Sequence, residues 1–182
     1  MPLPPKSSIG WWKKGIRRCI PLIGCASHRI NLAVQSLYCE GTHYLDAVEK
    51  VHTLMVTFGI LKNRVRLAVK TQLSPIKHNE TRWGSVFRML KRYLELHPIL
   101  PTCSFDKATR EKFPSTRDHY LVNELVDMLY KCEKTSVFLQ KQDALLVNLH
   151  SVRVAFDKLI VDIPDLEAYL GPKARICSIS SI

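Results

Sequence analysis

Between Thr81 and Leu96 the chain reads TRWGSVFRMLKRYLEL, and Trp83, Val86, Phe87, Leu90, Tyr93 and Leu94 recur three and four positions apart. On a backbone that turns once per 3.6 residues they form one stripe, whereas in a strand they would scatter over both faces. The segment is therefore predicted to be a helix with one buried side. Thr81 is placed to cap its first turn and His97-Pro98 to close it, leaving Arg88, Lys91 and Arg92 on the outer side.

The same period recurs along most of the chain. Ile30, Ala33, Val34, Leu37 and Tyr38 predict a helix that Ser27 caps and Gly41 ends. Leu45, Val48, Val51 or His52, and Met55 predict a second, weakened at Gly59; LKNRVRLAVKTQL, 61–73, continues as a basic helix up to Pro75. Beyond a Pro-containing stretch at 98–116 come long helical patterns from Arg117 to Leu139 and from Ala144 to Val161, with a short helix at Asp165 to Leu170. The exception is IPLIG, 20–24, a short apolar run bounded by Gly that fits a strand start or edge. One strand cannot pair its own backbone groups, so it reads as a piece of a larger sheet in a mainly α chain.

A chain of 182 residues, 46% of them hydrophobic, has the material for a packed core. No run approaches the roughly 18 apolar residues of a membrane span, and the start lacks the apolar region of a secretory signal, so a soluble intracellular protein is expected. The six cysteines are too scattered for a disulfide scaffold and are expected as thiols. Charge is unevenly placed: residues 1–92 hold 16 Lys/Arg against 4 Asp/Glu, a balance of +12, while 93–182 hold 11 against 12, a balance of −1. A field of that kind attracts a polyanion, since each neutralised phosphate releases counterions; a basic surface kept for solubility is the alternative. Within the Pro- and Ser-containing start, Trp11 and Trp12 stand beside Lys13 and Lys14, followed by Arg17 and Arg18. These aromatics either stack on bases or pack on the protein.

Which residues bear chemistry is less direct. Cys19, Cys25, His28, Cys39 and His43 are zinc-type ligands, but their spacing fits neither a finger nor a ribbon, and a helix carries Cys39 about 20 Å from Cys25. A buried Cys and a capping or hydrogen-bonded His are therefore the expected reading of the pair, with no metal bound. Metal-assisted phosphoryl chemistry needs two or three converging carboxylates, and no acid precedes Glu40. Asp46, Glu49 and Glu80 read as surface residues, and no nucleophile elbow, P-loop, HExxH or dinucleotide motif is present. In NETRWGS, 79–85, Arg82 and Trp83 at a helix start offer a cation and a stacking plane; Trp83 as the first core residue, with Arg82 paired to Glu80, is the alternative.

Taken together, GCASHRINLAVQ and NETRWGSVFRMLKRYLEL resemble two blocks of the hAT superfamily of DNA transposases. The first matches that family's C-x-x-H-x-L/I-N-L through Cys25, His28, Ile30, Asn31 and Leu32. The second matches D/E-T-R-W-x-S-x-x-x-M-L-x-R through Glu80, Thr81, Arg82, Trp83, Ser85, Met89, Leu90 and Arg92. The resemblance implies a fragment of an RNase H-like core, with one or few short strands, running into the all-helical insertion of that family. Cys25, His28 and Asn31 would then lie beside the active site, and Trp83 would help hold distorted DNA. It also implies a nuclear location, and Mg²⁺ as the cofactor of intact members.

The departures from the family are the catalytic acids, so no catalytic residue, no bound cofactor and no enzyme activity are expected here; two-metal cleavage would need a partner chain to bring the carboxylates. The expected organisation is a flexible basic tail at 1–18, a partial core at 19–97, a linker at 98–116, a helical insertion segment at 117–170 and a tail at 171–182. DNA is the expected partner, bound through Lys13, Lys14, Arg17, Arg18 and Arg29, then Arg64, Arg66, Arg82, Trp83, Arg88 and Arg92. A helical protein-interaction module that leaves DNA alone is the competing expectation, with a homo-oligomer or partner chain completing the sheet.

Overall fold

The computed structural model describes residues 26–39, 42–78, 83–140, 148–172 and 174. The chain is mainly α, and among the described residues there is no strand; the run at 20–24 expected to form one lies outside them. Four helices precede the Pro-containing stretch: α1 (Ala26–Ser36), α2 (Leu45–Phe58), α3 (Leu61–Ala68) and α4 (Trp83–Leu96). The stretch itself holds a 3-10 turn at Leu100–Thr102 and α5 (Lys107–Arg110); α6 (Thr116–Leu139), α7 (Leu149–Asp162), a 3-10 turn at Pro164–Leu166 and α8 (Glu167–Leu170) follow.

The 24-residue α6 spans about 36 Å at 1.5 Å per residue and is the axis of the structure, with α1, α2, α4 and α7 packed along it. Its inward face is Val122, Leu125, Leu129 and Cys132. Against these lie Ile30, Ala33 and Val34 of α1, Val51, Leu54 and Met55 of α2, and Met89, Leu90 and Tyr93 of α4, all in one continuous core. Each set repeats at helical spacing, which is why the period was readable in the sequence. The stretch expected as a linker at 98–116 contributes Leu100, Cys103 and Phe105 to this core, and Phe105 stacks on Phe58 at 5.0 Å between ring centroids. Helices before and after it are thereby packed into one interior. Cys103 and Cys132 are buried thiols, and burial pushes the Cys132 thiol up to about 12.

Two caps fix where α6 and α7 begin. The Ser115 hydroxyl accepts from the Asp118 backbone N–H at 3.2 Å while Asp118 accepts from the Ser115 N–H at 2.9 Å, and Asn148 and Ser151 make the same reciprocal pair. Near the start of α7, the last turn of α8 is held by two arginines. Arg29 of α1 donates to the Tyr169 carbonyl at 2.7 Å and the Gly171 carbonyl at 3.2 Å, and Arg153 of α7 donates to the Leu170 carbonyl at 2.7 Å. Cations at a helix C-terminus meet carbonyls that have no partner within the helix.

Candidate nucleic-acid interface

A groove of about 490 Å³ opens where α1, the first turns of α4 and the C-terminal half of α6 meet. Helix α1 contributes Ser27, His28 and Asn31; α4 contributes Trp83, Gly84, Ser85 and Arg88; α6 contributes Glu133, Ser136 and Gln140. Positions 27 and 31, 84 and 88, and 133, 136 and 140 are each one or two helical turns apart, so every helix presents one polar edge beside its apolar stripe. Packing the three stripes together forces the three polar edges to border one hollow. The two sequence blocks, more than fifty residues apart, come together in this way.

The groove is polar and mixed in charge. Arg88 is exposed, Glu133 faces it from α6, and among the described residues neither takes part in an ion pair. The Gln140 amide donates to the Ser136 hydroxyl at 3.1 Å, ordering the far wall. At Gly84 an added Cβ would meet nothing within 4 Å, so the floor of the groove has room for a larger side chain there.

The residues expected to bind nucleic acid divide by environment. Lys13, Lys14, Arg17, Arg18 and Arg82 lie outside the described residues, as does Cys25 of the CxxH motif. His28 is exposed and Asn31 half-buried on the groove wall. Arg88 and Arg64 are exposed on α4 and α3. Arg92 donates to Glu95 at 2.8 Å and to the Ser74 carbonyl at 2.8 Å, and Arg66 lies 3.4 Å from Asp106, so both are already paired.

Two of the expected contacts, Arg29 and Trp83, sit in packed surroundings. Arg29 is an internal clamp on α8: beyond its carbonyl contacts its guanidinium lies 5.7 Å from the centre of the Phe156 ring, and burial followed by the neighbouring Arg153 lowers its pKa. Its hydrogen-bonding edge is occupied by the backbone carbonyls of Tyr169 and Gly171. Trp83 is 7% exposed and packs in the core with Phe87 at 6.5 Å between ring centroids, so little of its surface is open for a base to stack on.

Glu133 was not legible as a groove residue. It stands 105 positions after His28, and only the packing of α1 on α6 brings the two to one wall. Among the described residues it is the one carboxylate that lines the groove, where a two-metal site takes two or three. Among the described residues no three His, Cys, Asp or Glu side chains are grouped to hold a metal ion, and no helix is long and apolar enough to cross a membrane. Compared with family models, curated proteins and solved structures, the chain finds no match.

Proposed function

We propose that this chain is a transposase-derived nucleic-acid-binding protein without a strand-cleaving step of its own, and that the groove between α1, α4 and α6 is where it meets the phosphate backbone. The observation that carries this reading is the convergence of His28, Asn31 and Ser85, residues of the two blocks that resemble hAT transposases, on one groove with Arg88, a cation that stands at an unspecified position of the second block. The +12 balance of residues 1–92 supports it by supplying a long-range field for a polyanion. Arg88 acts as the phosphate contact; His28, exposed, and Asn31, half-buried, supply polar side chains that bond sugar or phosphate oxygens, while Ser85 is buried in the groove wall. Among the described residues the groove is lined by one carboxylate, Glu133, and this reading accordingly assigns the chain no metal pair and no activated water.

The test is binding of the full chain to labelled duplex DNA over a range of salt. The expected result is a linear fall of log affinity with log salt, a slope smaller by about one for Arg88→Gln, and an intact supercoiled plasmid after incubation with Mg²⁺. Affinity that ignores salt, or an Arg88→Gln variant that binds like the unaltered chain at every salt, overturns the reading. Plasmid nicking that disappears in His28→Ala overturns its second half.

A further inference from the structure

Helix α3 is turned so that part of its apolar surface faces solvent. Leu61, Val65 and Val69 follow one another at successive turns and are 76%, 56% and 75% exposed, and Ile60, in extended backbone just before the helix, is 56% exposed. This orientation is built in. Asn63, on the inner face, is 4% exposed and donates to the Thr57 carbonyl and the Thr109 hydroxyl, each at 3.2 Å, while Leu67 is 2% exposed in the core. On one flank Lys62 and Arg66 are drawn to Asp106 at 3.2 and 3.4 Å. Rotating α3 to hide the stripe would break all of these contacts. The stripe is therefore held outward by the same residues that anchor the helix.

Cations border it on both sides. By helical angle Arg64 lies on one margin, in no ion pair among the described residues, and Lys62 with Arg66 lies on the other, where the two cations share the one carboxylate of Asp106 and leave a net positive charge. We propose that α3 is a docking surface for an acidic amphipathic helix of a partner protein, whose leucine-type anchors cover Leu61, Val65 and Val69 while its carboxylates meet Arg64. Charge complementarity selects this occupant. A second copy of the chain related by a twofold axis would set the cations of one α3 against those of the other. The chain's own first 25 residues carry Lys6, Lys13, Lys14, Arg17 and Arg18 without an acid, so they would meet like charge as well. A nucleic-acid backbone would pair with the cations but offer no apolar surface to four aliphatic side chains. This surface stands apart from the groove and does not depend on how the groove is used.

The probe is a synthetic helical peptide with a leucine stripe flanked by glutamates, titrated against the full chain by anisotropy. Its counterpart with lysines in place of the glutamates is the control. The expected result is binding about tenfold tighter for the acidic peptide at low salt, lost by about tenfold in a Leu61→Asp/Val65→Asp variant and weakened by Arg64→Glu. Because these side chains are exposed, the variants should keep the unfolding midpoint and helical circular dichroism of the unaltered chain, and Arg64→Glu, which leaves the stripe intact, serves as the second variant. Equal binding of the two peptides, or an aspartate variant that binds like the unaltered chain, overturns the proposal. So does a preference for phosphatidylcholine vesicles containing phosphatidylserine, or a concentration-dependent dimer, either of them abolished by the same aspartate variant; those outcomes assign the stripe to a lipid surface or to a second copy.

Discussion

Arg29 follows His28 in the sequence, yet its guanidinium serves a different part of the molecule from the groove that His28 lines. The carbonyl of Tyr169 that it bonds is 140 residues away, and Phe156 lies beneath it, so its role is to pin α8 onto α1. In Arg29→Ala the carbonyls of Tyr169 and Gly171 lose their charged donor and Phe156 loses packing. The expected cost is about 1–3 kcal/mol, read as a lower urea midpoint, with the salt slope of DNA binding unchanged. A reduced slope at intact stability would place Arg29 among the phosphate contacts. Nothing local in CASHRIN distinguishes a cation that clamps a distant helix end from one that faces solvent, because the distinction is made by carbonyls at the other end of the chain. Trp83 teaches the converse, since its position on the apolar stripe already carried the reading as a core residue.

At the scale of elements, what periodicity determines was readable and what side-chain capping determines was only partly so. The stripes of α2, α4 and α6 lie where apolar spacing puts them. The boundaries depart from expectation for identifiable reasons. Helix α1 begins at Ala26, so Ser27 lies inside it. The basic helix expected to reach 73 ends at Ala68, followed by a turn in which Lys70 and Thr71 donate to the Leu67 carbonyl and the Thr71 hydroxyl accepts from the Leu73 N–H at 3.1 Å, a local bond that competes with helix continuation. Helix α6 begins at Thr116 because Ser115 and Asp118 cap each other. Burial alone would raise the Asp118 carboxyl, but hydrogen bonds from Ser115 and Lys50 outweigh it and hold it below the usual carboxylate range. Asp118 is 6% exposed, whereas the Lys50 side chain that bonds it at 2.9 Å is 52% exposed. The cap and the ion pair should therefore separate by mutation: Asp118→Ala is expected to cost about 1–2 kcal/mol, and Lys50→Ala less than about 1. Equal losses in denaturant unfolding would show that the ion pair, and not the cap, fixes the start of α6.

For the molecule as a whole, the sequence read the helical class and the meeting of the two blocks was a matter of packing alone. The larger sheet inferred from the run at 20–24 rests on residues outside those described, so the RNase H-like core stays part of the proposal. The joint between α4 and α6, on which groove and core both depend, is expected to be pH-sensitive. His97, at the C-terminal end of α4, stacks on His119 of α6 with ring centroids 3.8 Å apart, and the Tyr93 hydroxyl lies 3.3 Å from His119 Nδ1. Burial, and then the neighbouring His119, lowers the His97 pKa from its ordinary 6.5. The other charged groups at this joint are Asp118 and, bridging to it from α2, Lys50. A base whose folded pKa is depressed takes up fewer protons folded than unfolded, so stability is fully present above 6.5 and declines as pH falls below it. The lowered Asp118 acts in the same direction at more acid pH, its contribution being present above 3.8 and lost as pH falls through the folded value. Unfolding midpoints measured from neutral to mildly acid pH should thus fall in the unaltered chain and fall less in His97→Gln, while the later acid loss persists in that variant and is removed by Asp118→Asn. A midpoint that is flat from neutral to mildly acid pH, or a His97→Gln profile that overlays the unaltered one, would show that protonation of the stacked pair leaves the α4–α6 joint undisturbed.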